Sequence, residues 1–110
     1  MIAYDDFLRV DVRAGTILHA EPLLGARKPA YVLQIDFGPD LGERRSSVQI
    51  TQRYRAEELI GRQVCAVVNF PPKRIAGFES QVLVLGMDDE QGHVVLVAPD
   101  VPIPNGRRLY

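Results

Sequence analysis

"SSVQITQRYRAEELIGRQVCAVVNF", residues 46–70, carries a strand, a helix and a second strand in one uninterrupted run. Ser46–Thr51 ends in β-branched residues and reads as a strand. YRAEELIG then places Tyr54, Leu59 and Ile60 on one apolar side. Its first turn holds Glu57 and Glu58, which the helix dipole favours, and Gly61 is a C-terminal stop. Gln63–Phe70 resumes as an apolar strand that Pro71 and Pro72 bring to an end.

What flanks this run decides the architecture. In residues 31–37, Tyr31, Leu33, Ile35 and Phe37 alternate with Val32, Gln34 and Asp36, the period-two pattern of a half-buried strand. Before it, DVRAGTILHAE is rich in β-formers but holds Gly15 in its middle, which predicts a bulge or sharp coil where a long strand bends. Two further strands are expected at Gln81–Met87 and His93–Ala98, separated by the turn DDEQG, and a short helical turn near DDFLRV. Five or six strands with one helix between the third and fourth is the order of an OB-fold, an all-β Greek-key barrel that binds oligonucleotides and oligosaccharides. The expectation is one domain over residues 1–110, with an extended tail, residues 99–110, too rich in proline for a central strand. The tail either packs back on its own barrel or crosses to a second copy.

Composition narrows the function classes. The chain has 110 residues, 46% hydrophobic and 25% charged, enough for a modest core. Its one cysteine, Cys65, rules out a disulfide framework and sits in an apolar strand as an inert thiol. No stretch resembles a signal peptide or a membrane span, so a cytoplasmic location without membrane insertion is expected. The net charge of −1 hides a split: residues 44–78 carry seven Lys or Arg against two Glu, whereas residues 79–100 hold five acids and no Lys or Arg. His19 and His93 lack metal-ligand spacing, MDDE at 87–90 reads as a solvated turn, and no glycine-rich loop leads into Lys and Ser or Thr. Neither an enzyme, nor a metal site, nor any cofactor is expected, and nucleotide hydrolysis is not expected either.

The candidate binding stretch is NFPPKRIAGFES, residues 69–80. Asn69 and Ser80 are placed to bond backbone at strand ends. After Phe70, itself a candidate contact, Pro71 and Pro72 read first as a strand end and stiff turn and second as a rigid, non-donating rim for an extended peptide. Lys73 and Arg74 join Arg44 and Arg45, expected in another loop, in one basic face for phosphates or acidic peptide groups. Phe78 reads first as core and second as a surface on which bases or apolar side chains stack.

Four segments, DVRAGTI, SSVQITQRY, VVNFPPKRIAGFESQVLVLG and PDVPIPNG, resemble the CsaA-type export chaperones. These are small relatives of the tRNA-binding domain appended to methionyl-tRNA synthetase. The resemblance implies an OB-fold homodimer that binds unfolded polypeptides destined for export and, through its relatives, tRNA. The wider tRNA-binding pattern carries cations where this chain has Pro71 and Ala76, and Met where it has Leu83. Losing two phosphate partners implies weak tRNA binding. The alternative is a structure-specific tRNA binder acting in trans with the translation machinery. A third possibility is an interaction module that docks on a translocation ATPase or a synthetase through the acidic segment 79–100.

Overall fold

The computed structural model describes residues 1–110. Its hub is β1 (Val12–Pro22), which serves two neighbours in turn. The first half pairs antiparallel with β4 (Gln63–Val67), from Val12↔Val67 to Thr16↔Gln63, and the second half with β2 (Tyr31–Asp36), from Thr16↔Asp36 to Pro22↔Tyr31. Thr16 is the residue where partners change, so the strand coils there. Gly15 permits it: a Cβ at this position would lie 2.6 Å from Ile35 Cγ2 and 2.7 Å from Phe37 Cδ1. The expected bulge is not at Gly15 itself, which stays paired with Val64. The register slips between Ile17 and His19 instead.

With β3 (Glu43–Val48) outside β2 and β7 (Leu83–Val84) outside β4, the sheet order is β3-β2-β1-β4-β7. Its two edges curl toward each other. Gln81 N–H donates to the Arg45 carbonyl at 2.8 Å, and Ser46 Oγ donates to the Val82 carbonyl at 2.9 Å. The result is a nearly closed five-stranded barrel of OB type. Its interior holds an 11-residue cluster that includes Ile17, Leu33, Ile35, Phe37, Ile50 and Val64. Leu59 of α3 (Ala56–Leu59) is fully buried in the same cluster. Glu58 Oε1 accepts the Arg55 N–H at 2.7 Å and so caps this helix from within. The N-terminal helix α1 (Tyr4–Leu8) forms where DDFLRV predicted it. No helix is long and apolar enough to cross a membrane.

Several boundaries differ from expectation. β3 starts at Glu43 and ends at Val48, so Arg44 and Arg45 lie on a strand rather than in a loop. The strand expected over Gln81–Met87 breaks into β7 and β8 (Gly86–Asp88), the latter forming a hairpin with β9 (Val94–Leu96). Gly86 allows that pairing, since a Cβ there would lie 2.6 Å from Val94 Cγ1. Two elements were not anticipated: α2 (Gly38–Leu41), and a hairpin of β5 (Lys73–Ile75) and β6 (Phe78–Ser80) inside the stretch read as a loop.

The tail lies along the edge of β1 that β2 leaves free. Ala14 N–H donates to the Arg107 carbonyl at 3.0 Å, Gly106 N–H to the Ala14 carbonyl at 2.8 Å, and Leu109 N–H to the Val12 carbonyl at 2.9 Å. Asp11 fastens this arrangement by pairing with Arg13 Nε at 2.6 Å and Arg108 Nε at 3.5 Å. Of the two routes open to the tail, it packs on its own barrel, yet Val101, Leu109 and Tyr110 remain exposed.

Candidate ligand-binding face

The β5–β6 hairpin turns through Ala76 and Gly77, both in the left-handed region (φ 50° and 76°), as a two-residue hairpin with native twist requires. Arg74 Nη1 donates to the Gly77 carbonyl at 3.0 Å across this turn. Register pairs Lys73 with Ser80 and Ile75 with Phe78. By strand alternation those four share one face, and Arg74 and Glu79 share the other. Lys73 and Arg74 are therefore aimed apart.

Ser80 is buried, and its Oγ accepts the Ser47 N–H at 3.0 Å, tying the hairpin to β3. Asn69 works at the other end of the stretch. Its Nδ2 donates to the Arg9 carbonyl at 2.8 Å and its Oδ1 accepts the Asp11 N–H at 2.9 Å, joining β4 to the start of β1. Phe78 is not core, contrary to its first reading. The hairpin runs outside β3, so the ring is half-buried on the surface, with the Arg45 guanidinium carbon 5.2 Å from its centroid. Arg45 faces outward opposite Gln34, whereas Arg44 pairs with buried Ile35 and donates from Nε to the Leu41 carbonyl at 3.2 Å. The two arginines lie on opposite faces of one strand and do not form a single patch.

Two hollows flank the hairpin. One, of about 790 Å³, lies over the outer face of β1–β3, where Arg45 and Phe78 meet Gln34, Glu43, His19 and Leu24. The other, of about 410 Å³, opens at the gap between β3 and β7, where Phe70, Pro71, Lys73 and Ser80 meet Val82 and Val84. Arg44, Asn69 and Arg74 line neither.

Sequence reasoning passed over Arg27 and Lys28. They lie in the loop between β1 and β2 and border, with Ile75 and Ala76, a third hollow of about 720 Å³. The available signal was GARKP, two adjacent cations bracketed by turn residues between two strands. In an OB barrel this loop and the one after the fourth strand converge on the ligand side. Only Arg9, Arg13, Arg53 and Arg108 pair with an aspartate; Arg27, Lys28, Arg45, Lys73 and Arg74 have no carboxylate within 4.0 Å, and neither have Arg44, Arg55, Arg62 and Arg107. Arg27, Lys28, Lys73 and Arg74 thus bring uncompensated positive charge to neighbouring loops and the hairpin. Elsewhere the titratable groups serve the fold. Burial pushes the Cys65 thiol up, and Asp89 is held low because its carboxylate accepts the His93 and Gln91 N–H groups.

A family model described as "Putative tRNA binding domain" matches residues 12–108. Among curated proteins, the methionine-tRNA ligase of Flavobacterium psychrophilum is 40% identical over 110 residues, and that of Porphyromonas gingivalis (strain ATCC 33277) is 34% identical over 108. The matches cover 99% and 98% of this chain but only 16% and 15% of the two enzymes. Among solved structures, the CsaA chaperone of Bacillus anthracis is 55% identical with a TM-score of 0.94, the match covering 100% of this chain and 99% of that one. The CsaA chaperone protein of Picrophilus torridus is 47% identical with a TM-score of 0.93, the match covering both chains fully. Taken with the nearly closed five-stranded barrel, these likenesses mean that the chain belongs to the tRNA-binding domain family, in its CsaA-type form.

Proposed function

We propose that the protein is an ATP-independent chaperone that holds unfolded segments of proteins bound for export, with a weaker capacity for tRNA. The observation that carries this reading is the gap between β3 and β7. Phe70, Pro71, Leu83 and Val84 offer apolar surface there, with Lys73 at the rim. An extended polypeptide can lay an apolar side chain into this hollow of about 410 Å³ while an acidic neighbour meets the ammonium group. Pro71 offers no backbone donor at that rim, so affinity there draws on side chains and tolerates many sequences. Two copies joined through the exposed apolar tail would present two such gaps to one client and gain avidity. That tail borders an apolar hollow of about 290 Å³ beside Val12, Cys65 and Val97.

A second reading, a tRNA binder acting in trans, is favoured by the unpaired cations around the hairpin. The gap and the cations can be separated by substitution. Phe70→Ala trims a half-exposed ring and should weaken an unfolded peptide by about tenfold, as expected from the lost apolar burial. The same substitution should leave tRNA binding in place. Fluorescence anisotropy with both labelled ligands checks this, and equal loss of tRNA and peptide would remove the gap as a dedicated polypeptide site.

A further inference from the structure

The hollow over the outer face of β1–β3 differs in character from the rest of the ligand side. It holds two carboxylates, Glu21 and Glu43, beside Arg45, Gln34, His19 and Phe78. A surface that only gathered phosphates would not keep acids there, because each repels the polyanion. The geometry points to a subsite for one unstacked guanine base of a single-stranded RNA segment. This deepens the tRNA reading and rests on it.

Cross-strand register sets the parts side by side. His19 pairs with Gln34 and Gln34 with Arg45, so the three side chains form one outward row, with Glu43 next along β3 on the same face. Gln34 Nε2 donates to Glu43 Oε1 at 2.9 Å. That bond ties the amide to one carboxylate oxygen and leaves the other free, with the Arg45 guanidinium lining the same hollow. Guanine is the base whose Watson–Crick edge offers two adjacent donors, N1–H and the N2 amino group, followed by the O6 acceptor. The carboxylate takes the two donors and the guanidinium gives to O6. Adenine and cytosine present a single amino donor on that edge, and uracil a single imino donor, so each meets the carboxylate with one hydrogen bond where guanine makes two. Phe78 holds the Arg45 guanidinium beside this row, its ring centroid 5.2 Å from the guanidinium carbon. Leu23 and Leu24 add apolar surface to the hollow's lining.

The test uses the full chain and three labelled RNA heptamers: uridine throughout, and the same with a central guanosine or a central adenosine. Anisotropy titrations at fixed salt read the differences. For the wild type, the guanosine heptamer should bind about tenfold tighter than the other two, the low end of what a bidentate base contact gives. Glu43→Gln should erase that preference and also tighten the uridine heptamer, because a negative charge has left a polyanion site. Glu43 is exposed, so the variant should fold; Phe78→Ala, checked by circular dichroism, should weaken all three heptamers. Equal affinities in the wild type overturn the subsite, as does a Glu43→Gln variant that shifts every heptamer by the same factor. Displacement of the guanosine heptamer by an unfolded peptide whose binding Glu43→Gln also weakens overturns it too and assigns the hollow to polypeptide. If folded tRNA binds while the heptamers are not distinguished, the subsite fails and the tRNA reading stands. If tRNA does not bind either, both fail.

Discussion

Replacing Lys73 and Arg74 together by alanine should change the salt dependence of tRNA binding by a calculable amount. Four free cations on the ligand side, Arg27, Lys28, Lys73 and Arg74, are available to phosphates, Arg45 being laid over Phe78. Each phosphate contact contributes about 0.7 to 0.9 to the slope of log affinity against log salt, so four give a slope of about −2.8 to −3.6. Between ~50 and ~200 mM salt the wild type should then lose about 50- to 150-fold in affinity. The double variant keeps two contacts, a slope of about −1.4 to −1.8, and a loss of about 7- to 12-fold over the same range. Arg53→Ala is the internal control, because its Nη1 already pairs with Asp89 Oδ2 at 3.0 Å. The assay is an anisotropy titration of labelled tRNA at several salt concentrations. A double variant with the wild-type slope would show that the hairpin does not meet phosphates, and an Arg53→Ala variant with a reduced slope would show that free and paired cations are not distinguished as argued.

Other substitutions probe the scaffold. Gly15→Val would drive a side chain against Ile35 and Phe37 and should cost about 1–3 kcal/mol or more, read as a lower urea midpoint with an unchanged m-value. Ala76→Asn supplies the residue that the first position of this hairpin turn prefers and should raise stability by about 1 kcal/mol in the same assay. Asp11 bears on acid stability. Its carboxyl is held below the ordinary range chiefly by the hydrogen bond from Arg13, so the folded chain binds that proton less readily than the unfolded chain. The resulting stability is present above about pH 3.9 and is lost as pH falls through the lower folded value. Asp11→Asn should therefore destabilise at neutral pH and flatten the acid limb of a thermal-melt series, and a parallel limb would refute the assignment.

The barrel was legible because its strands obey simple alternation. Leu33, Ile35 and Phe37 are all interior, as their period-two spacing required, and Leu59 is buried from the expected helix. The site was harder to read for a physical reason. Alternation assigns a face only once a strand is recognised, and NFPPKRIAGFES looked like loop because its prolines and glycine obscure two three-residue strands. Had the Ala76–Gly77 turn been seen, Lys73 and Arg74 would have been sent to opposite faces from sequence alone. Phe78 misled for a related reason: an aromatic at a strand start is core only if that strand belongs to the barrel, and β6 lies outside it. Arg27 and Lys28 needed the third dimension, since only barrel closure brings the loop before β2 beside the hairpin after β4.

The tail's seat on β1 has a consequence for how this unit can be joined to others. Arg108 Nη2 reaches the Leu8 carbonyl at 2.7 Å, so the incoming and outgoing backbone share one doorway. Met1 and Tyr110 are both exposed beyond it. A module wired in this way lends itself to circular permutation, and it can be spliced into a host loop as a cassette without threading the host through the barrel.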